Sequence, residues 1–176
     1  MRRLTFVLSV LLFVSCSDEA VLSREFIALN ESKVRLDSVF EQHNSTVMIF
    51  LSPECPLCQN YSVTIDQLQA DFNNENIAFY GVVSGDFYSR SDIEGFLIRY
   101  ELDLTVLLDP EFKLANHYHA SITPEVIVAN EEGKSKYQGA IDNWAISLGK
   151  KRFTITEHYL ADALKARLQG KEVEPK

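Results

Sequence analysis

Apolar and polar positions along this chain fall into blocks with distinct periods. Residues 45–51, STVMIFL, form a continuous apolar run with β-branched members, the pattern of a strand buried on both faces. IAFYGVV at 77–83 reads the same way. Between them Leu57, Tyr61, Ile65, Leu68 and Phe72 recur at steps of three and four, which marks one face of a helix. The result is a strand–helix–strand unit with a parallel pair. Upstream, KVRL ending at Leu36 reads as a strand, and DSVFEQ as a short helix capped by Asp37. Downstream, SDIE at Ser91–Glu94 has the form of a capping box, followed by Ile93, Phe96, Leu97 and Tyr100 at helical spacing. LTVLL (104–108) is a strand, and PEFKLANHY (110–118) a helix opened by Asp109 and Pro110. PEVIVAN and KSKYQGA, separated by EEG, predict two antiparallel strands. TITE at Thr154–Glu157 resembles a second capping box, before a helix lined by Tyr159, Leu160, Ala163, Leu164 and Leu168 that Gly170 can end. No internal repeat or low-complexity tract interrupts the pattern. These elements make an α/β domain over residues 24–170 with a short tail, 171–176.

The first residues follow another logic. Arg2 and Arg3 precede the apolar run Leu4–Val14, which is short for a membrane span and matches a secretory signal over 1–15. Ser15 then stands before Cys16, an arrangement that resembles the lipobox of bacterial lipoproteins, although Phe13 occupies a place where Leu is usual. The resemblance implies cleavage before Cys16, lipidation of that cysteine, and a tether over 16–23 that holds the domain to a membrane outside the cytoplasm. Residues 1–15 contain two of the 17 basic residues and none of the 25 acidic ones, so their removal deepens the net charge from −8 by two. An acidic balance of this kind argues against a nucleic-acid partner, which needs a positive footprint. It identifies no other partner.

Of the three cysteines, Cys55 and Cys58 remain once Cys16 is assigned to the lipid. A structural staple is poorly supported, because closing a loop across Pro56 and Leu57 removes little entropy from the unfolded chain. Zinc is also poorly supported: His43, His117, His119 and His158 supply no second CxxC or HxxxH partner. A redox pair fits best, particularly in an exported chain. Pro56 suits the first helical position, which puts Cys55 at the helix N-cap. Unpaired amides and the positive end of the helix dipole favour a thiolate there, and Cys58, one turn on, is placed to resolve a mixed disulfide.

A buried strand delivering CPLC to a helix start, a second strand, an inserted strand and helix, then SITPEVIV and a hairpin closing on a last helix resembles the thioredoxin fold. More narrowly, the chain resembles the redoxin and TlpA-like group of exported thiol-disulfide oxidoreductases, related to the AhpC/TSA family. The resemblance spans residues 24–170. It implies that Pro124 is cis and faces the two sulfurs, and that Thr123 offers its backbone to an extended substrate segment as an added strand. It also implies no cofactor, protein substrates carrying disulfides or thiols, and a membrane thiol electron donor.

The departures are informative. Many thioredoxins carry a buried Asp six residues before the first cysteine, where this chain has Ile49. The tryptophan common just before that cysteine is replaced by Glu54, a carboxylate that opposes a Cys55 thiolate if close and does little if it points to water. The sole tryptophan, Trp144, is expected in the core or at its rim. A copper-handling relative pairs two cysteines with a histidine, but with a longer cysteine spacing and a histidine beyond the position of Pro124; His117 and His119 do not match it. Peroxiredoxins keep a Thr or Ser three residues before the peroxidatic cysteine, a position that is Cys55 if Cys58 has that role. The expectation is a membrane-tethered thiol-disulfide oxidoreductase acting as a reductase, with a non-catalytic binding module or a copper-handling or peroxiredoxin-like protein as alternatives.

Overall fold

A computed structural model describes residues 19–147 and 149–173. The signal segment, Cys16 and the last residues of the tail lie outside the described residues. In chain order the elements are α1 (Glu19–Leu22), β1 (Glu25–Ala28), β2 (Lys33–Arg35), α2 (Leu36–Gln42), β3 (Ser45–Phe50), α3 (Pro56–Asp71), β4 (Ile77–Ser84) and α4 (Arg90–Arg99). There follow β5 (Thr105–Asp109), α5 (Lys113–Tyr118), β6 (Glu125–Ala129), β7 (Ser135–Gly139), β8 (Ala145–Ser147), β9 (Lys150–Lys151) and α6 (Tyr159–Leu168).

Seven strands make one mixed sheet in the order β2-β1-β5-β4-β3-β6-β7, and β8 and β9 form a separate ribbon. β3 lies inside the sheet, parallel to β4 and antiparallel to β6. All six of its residues are buried, as the uninterrupted apolar run requires. Its side chains alternate between two cores: Val47 and Ile49, with Leu51 just past its end, face α3 and α6, while Met48 and Phe50 face α2 and α5. β6 alternates likewise, Val126 and Val128 against Ile127 and Ala129. Arg167 of α6 reaches back to the start of β3, donating to the Asn44 carbonyl at 3.1 Å and to Ser45 Oγ at 3.4 Å.

Local signals differ from expectation at several ends. The working capping box of α4 is Ser89 with Asp92, two residues before SDIE: the Asp92 N–H donates to Ser89 Oγ and the Ser89 N–H to the Asp92 carboxylate. TITE does not open α6. The Asn143 side chain takes Thr156 by two hydrogen bonds, and His158 stands at the N-cap. α2 begins at Leu36, so Asp37 lies inside the first turn and pairs with Arg35. α5 starts only at Lys113. Asp109 ends β5, from where its carboxylate accepts the Ala115 N–H at 3.1 Å. β1 and the β8–β9 ribbon had no expectation. Leu22, in the segment read as tether, is buried among Phe26, Phe40 and their neighbours.

The β6–β7 turn is held by Asn130, whose side chain accepts the Glu132 and Lys134 amides. Gly133 in that turn has φ +75°, and a Cβ there would come within 2.6 Å of Leu22 and 2.9 Å of Phe40. Positive φ and missing space act together. Gly133→Ala is expected to lower stability by about 1–3 kcal/mol, read as a lower denaturant midpoint at unchanged slope.

Candidate active site

β3 ends inside the sheet, and the chain leaves its upper end through Ser52, Pro53 and Glu54 before α3 begins. This turn is tied at both ends. The Cys55 N–H donates to the Ser52 carbonyl at 3.0 Å, and Gln59 Nε2 to the Pro53 carbonyl at 2.8 Å. Pro56 takes the first helical position and Cys55 is the N-cap, as the sequence predicts. Leu57 packs half-buried against the core that holds Cys58. Glu54 is exposed.

The two sulfurs sit one helical turn apart in unlike surroundings. Cys58 is fully buried and Cys55 half-exposed, both as free thiols. Burial pushes the Cys55 thiol up, but the Cys58 amide, the Thr123 side chain, the Cys58 thiol and the Leu57 amide together outweigh it, and the net shift is downward. No side-chain cap bond closes onto the helix amides in the thiol form. Their effect is that of dipoles aimed at a charge which exists only after ionisation. Cys58 is pushed up to about 12 by burial, which the Ser52 N–H, 3.5 Å from its sulfur, offsets only in part; a negative Cys55 raises it further.

Thr123 and Pro124 come to the same place from β6, since Phe50 at the end of β3 is in register with Glu125. The Thr123–Pro124 peptide is cis, and Cys55 Sγ lies 3.2 Å from the Thr123 carbonyl oxygen. The fold thus brings Cys55, Cys58, Thr123 and Pro124 together, with Pro56 and Leu57 beside them.

Sequence reading missed the residue that fixes this loop. Glu125 is buried, and one carboxylate oxygen accepts the Ser121 N–H at 2.8 Å and the Ile122 N–H at 3.4 Å; the other accepts Gln138 Nε2 at 2.9 Å. Within PEVIVAN an acid at the first strand position reads as a surface residue, and the only available signal was its place directly after Pro124. Ser52, Phe87, Tyr88 and Phe112 were also unmarked; Ser52 Oγ and Tyr88 OH are 2.8 Å apart beside the site. Position 49 is a fully buried isoleucine. Asp142, also buried, accepts from Tyr61 OH at 2.6 Å and from the Trp144 N–H at 2.8 Å. Trp144 stands edge-on to Tyr61 at 5.4 Å, at the rim of the core. His117 and His119 line a different groove, with Gly133, Lys134 and Gln138, away from Ser52 and Thr123.

The chain matches the AhpC/TSA family over residues 16–138 and belongs to that family. No curated protein matches it. Among solved structures, an uncharacterized conserved protein from Geobacillus kaustophilus is 23% identical with a TM-score of 0.74, covering 88% of this chain and 84% of its own. A secreted disulfide oxidoreductase from Mycobacterium tuberculosis is 18% identical with a TM-score of 0.58, covering 86% and 98%. The thioredoxin domain of a thiol-disulfide oxidoreductase from Bacteroides vulgatus is 17% identical with a TM-score of 0.55, covering 64% and 79%. These likenesses establish the fold as thioredoxin-like.

Two outcomes follow from the site's geometry. Iodoacetamide is expected to label Cys55 and spare Cys58, with the labelling rate rising through an apparent pKa below that of a free thiol. Burial keeps Cys58 in its unreactive thiol form. Mass spectrometry of peptides labelled across a pH series reads both. Glu125→Ala is expected to cost about 1–3 kcal/mol by orphaning two loop amides, and Glu125→Gln distinctly less because an acceptor oxygen remains; chemical denaturation ranks the two.

Proposed function

We propose that this protein is a thiol-disulfide oxidoreductase that reduces disulfides in protein substrates through Cys55 and Cys58. The single observation behind this reading is the asymmetry of the pair. One sulfur is half-exposed with its thiol shifted down, and the other is buried and shifted up to about 12.

The chemistry follows from that difference. The Cys55 thiolate attacks one sulfur of a substrate disulfide. The substrate S–S bond breaks, an S–S bond to Cys55 forms, and the departing substrate thiolate takes a proton from water. Cys55 has now lost its charge, which removes the repulsion that helped hold Cys58 protonated. Cys58 gives up its proton and attacks Cys55. The Cys55–Cys58 bond forms, and the second substrate sulfur leaves as a thiolate and is protonated. The substrate gains two electrons and two protons, and the enzyme is left oxidised. A dithiol reductant must return it to the dithiol state.

Thr123 gives this reaction its direction of approach. Its carbonyl faces Cys55 Sγ, and an extended substrate segment pairing with this backbone is aligned for sulfur-to-sulfur attack. The N-terminal pattern around Cys16 extends the proposal to a lipid-anchored protein outside the cytoplasm, fed by a thiol donor in the membrane. Reduction rather than oxidation is proposed by likeness to TlpA-like proteins.

Cys55→Ser is expected to abolish reduction of a model protein disulfide, at least a thousandfold on the order of other nucleophile deletions. Cys58→Ser is expected to accumulate a mixed disulfide at Cys55, visible as a non-reducing gel shift. Wild-type turnover by Cys55→Ser, or a pair that dithiothreitol and oxidised glutathione do not cycle, would refute the proposal and favour a binding module.

A further inference from the structure

We propose that the chamber beside Cys55 is a specificity pocket for a large apolar side chain of the substrate polypeptide, lying within about two residues of the cysteine under attack. This rests on the thiol-disulfide reading above and adds a substrate class to it.

The chamber, open on one side, offers about 310 Å³ between the ends of β3 and β4, the β4–α4 loop, α5 and the segment leading to Pro124. None of the residues lining it is Asp, Glu, Lys, Arg or His, although 24% of the chain is charged. Its size is at the lower end of the roughly 300–1,000 Å³ of small-molecule sites, enough for one ring-sized group rather than a large cofactor. Three large apolar side chains stand in the open around it: Phe87 at 74% exposure, Ile122 at 65% and Phe112 at 39%. Their convergence on one mouth distinguishes them from singly scattered surface apolar residues.

The mouth is fixed in place. Phe87 and Phe112 meet edge to face at 6.1 Å. Both rings lie on the backbone of Gly85, where a Cβ would come within 2.5 Å of Phe87 and 2.8 Å of Phe112, and φ is +83°. The Gly85 N–H donates to the Asp109 carbonyl at 3.0 Å, tying the loop to β5. On the other side, the hydrogen bond between Ser52 and Tyr88 ties the loop to the turn before Cys55.

The occupant follows from continuity with the reacting sulfurs. Thr123 and Ser52 both line the chamber. Thr123 is also the residue whose carbonyl contacts Cys55, and Ser52 the one whose amide contacts Cys58. A polypeptide joined to Cys55 and extended along Thr123 advances about 3.3 Å per residue, so a side chain one or two positions from its cysteine meets this mouth. An uncharged chamber rimmed by aromatic rings admits Phe, Leu or Met there, whereas Asp or Asn recovers from the hydroxyls of its lining, two of which already bond each other, only part of the hydration it loses.

The test uses the reduced full chain and two synthetic peptides. Each carries one cysteine as its glutathione mixed disulfide and differs only in having Phe or Asn at the two positions on either side of that cysteine, with rates normalised to the reaction with dithiothreitol. The Phe peptide is expected to react about ten- to a hundredfold faster, the range one apolar group gives in a hydrophobic pocket. In the Phe87→Ser/Ile122→Ser double variant the Phe-to-Asn ratio is expected to fall below threefold. Equal wild-type rates for the two peptides, or a ratio unmoved by the double variant, overturn the pocket while leaving the redox reading intact. A concentration-dependent dimer that the double variant abolishes also overturns it, assigning the rings to self-association. If neither the peptides nor hydroxyethyl disulfide exchange with Cys55, the redox reading itself falls, and the pocket with it.

Discussion

Strand β3 is bonded along both edges and buried on both faces, so the position of each of its residues is set from four sides. The turn from Ser52 to Cys55 starts where that constraint ends. Because β6 is the antiparallel neighbour, the loop carrying Thr123 and Pro124 reaches the same edge of the sheet as the first turn of α3. The meeting of Cys55 with Thr123 is therefore a property of the sheet and its register. A slip of one residue between β3 and β6 would exchange their two core faces and carry Thr123 off the sulfur.

The same geometry separates the two cysteines. A helix beginning at the sheet edge leaves its N-cap near water and turns its third residue inward. Cys55 meets amides and solvent, whereas Cys58 joins Ile49, Tyr61 and Ile65 in the core. Their opposed shifts need no buried carboxylate of the kind many thioredoxins carry where this chain has Ile49. Burial, the amides of Ser52, Leu57 and Cys58, Thr123 and the mutual effect of the two sulfurs account for them. The buried acids are engaged elsewhere: Glu125 holds the loop amides, Asp142 holds Tyr61, and Asp109 reaches Ser84 and the Ala115 amide.

How much of this was legible in the sequence depended on whether the deciding interaction was local. The apolar runs of β3 and β4 and the stripe from Leu57 to Phe72 were readable because burial leaves a periodic trace. Pro56 and Cys55 were readable as N1 and N-cap because proline is favoured at the first helical position and breaks a helix interior. Caps were less so. Ser89–Asp92 and Ser91–Glu94 are overlapping serine–acid frames, and the first works because Asp at the third helical position does what Glu was expected to do. Thr154–Glu157 has the local form of a box, but Asn143, reached through the fold, holds Thr156 instead. β1 is four residues long with alternating burial and a charged first position, too brief for periodicity to mark. Glu125 was hidden for a different reason: the Ser121 and Ile122 amides lie only four and three positions before it, but the bend at Thr123–Pro124 turns them onto its carboxylate, and Gln138 arrives from β7.

Arg167 bonds across 122 and 123 positions of sequence to Ser45 and Asn44, clamping the strand that leads into the CPLC turn. During vectorial synthesis the cysteines emerge long before either β6 or this arginine exists. The core that shelters Cys58 includes Leu160, Ala163 and Leu164 of α6, so part of its burial waits on a helix made far downstream of it. The contrast between the two thiols begins in the first turn of α3 and is completed late, by a segment remote in sequence from both.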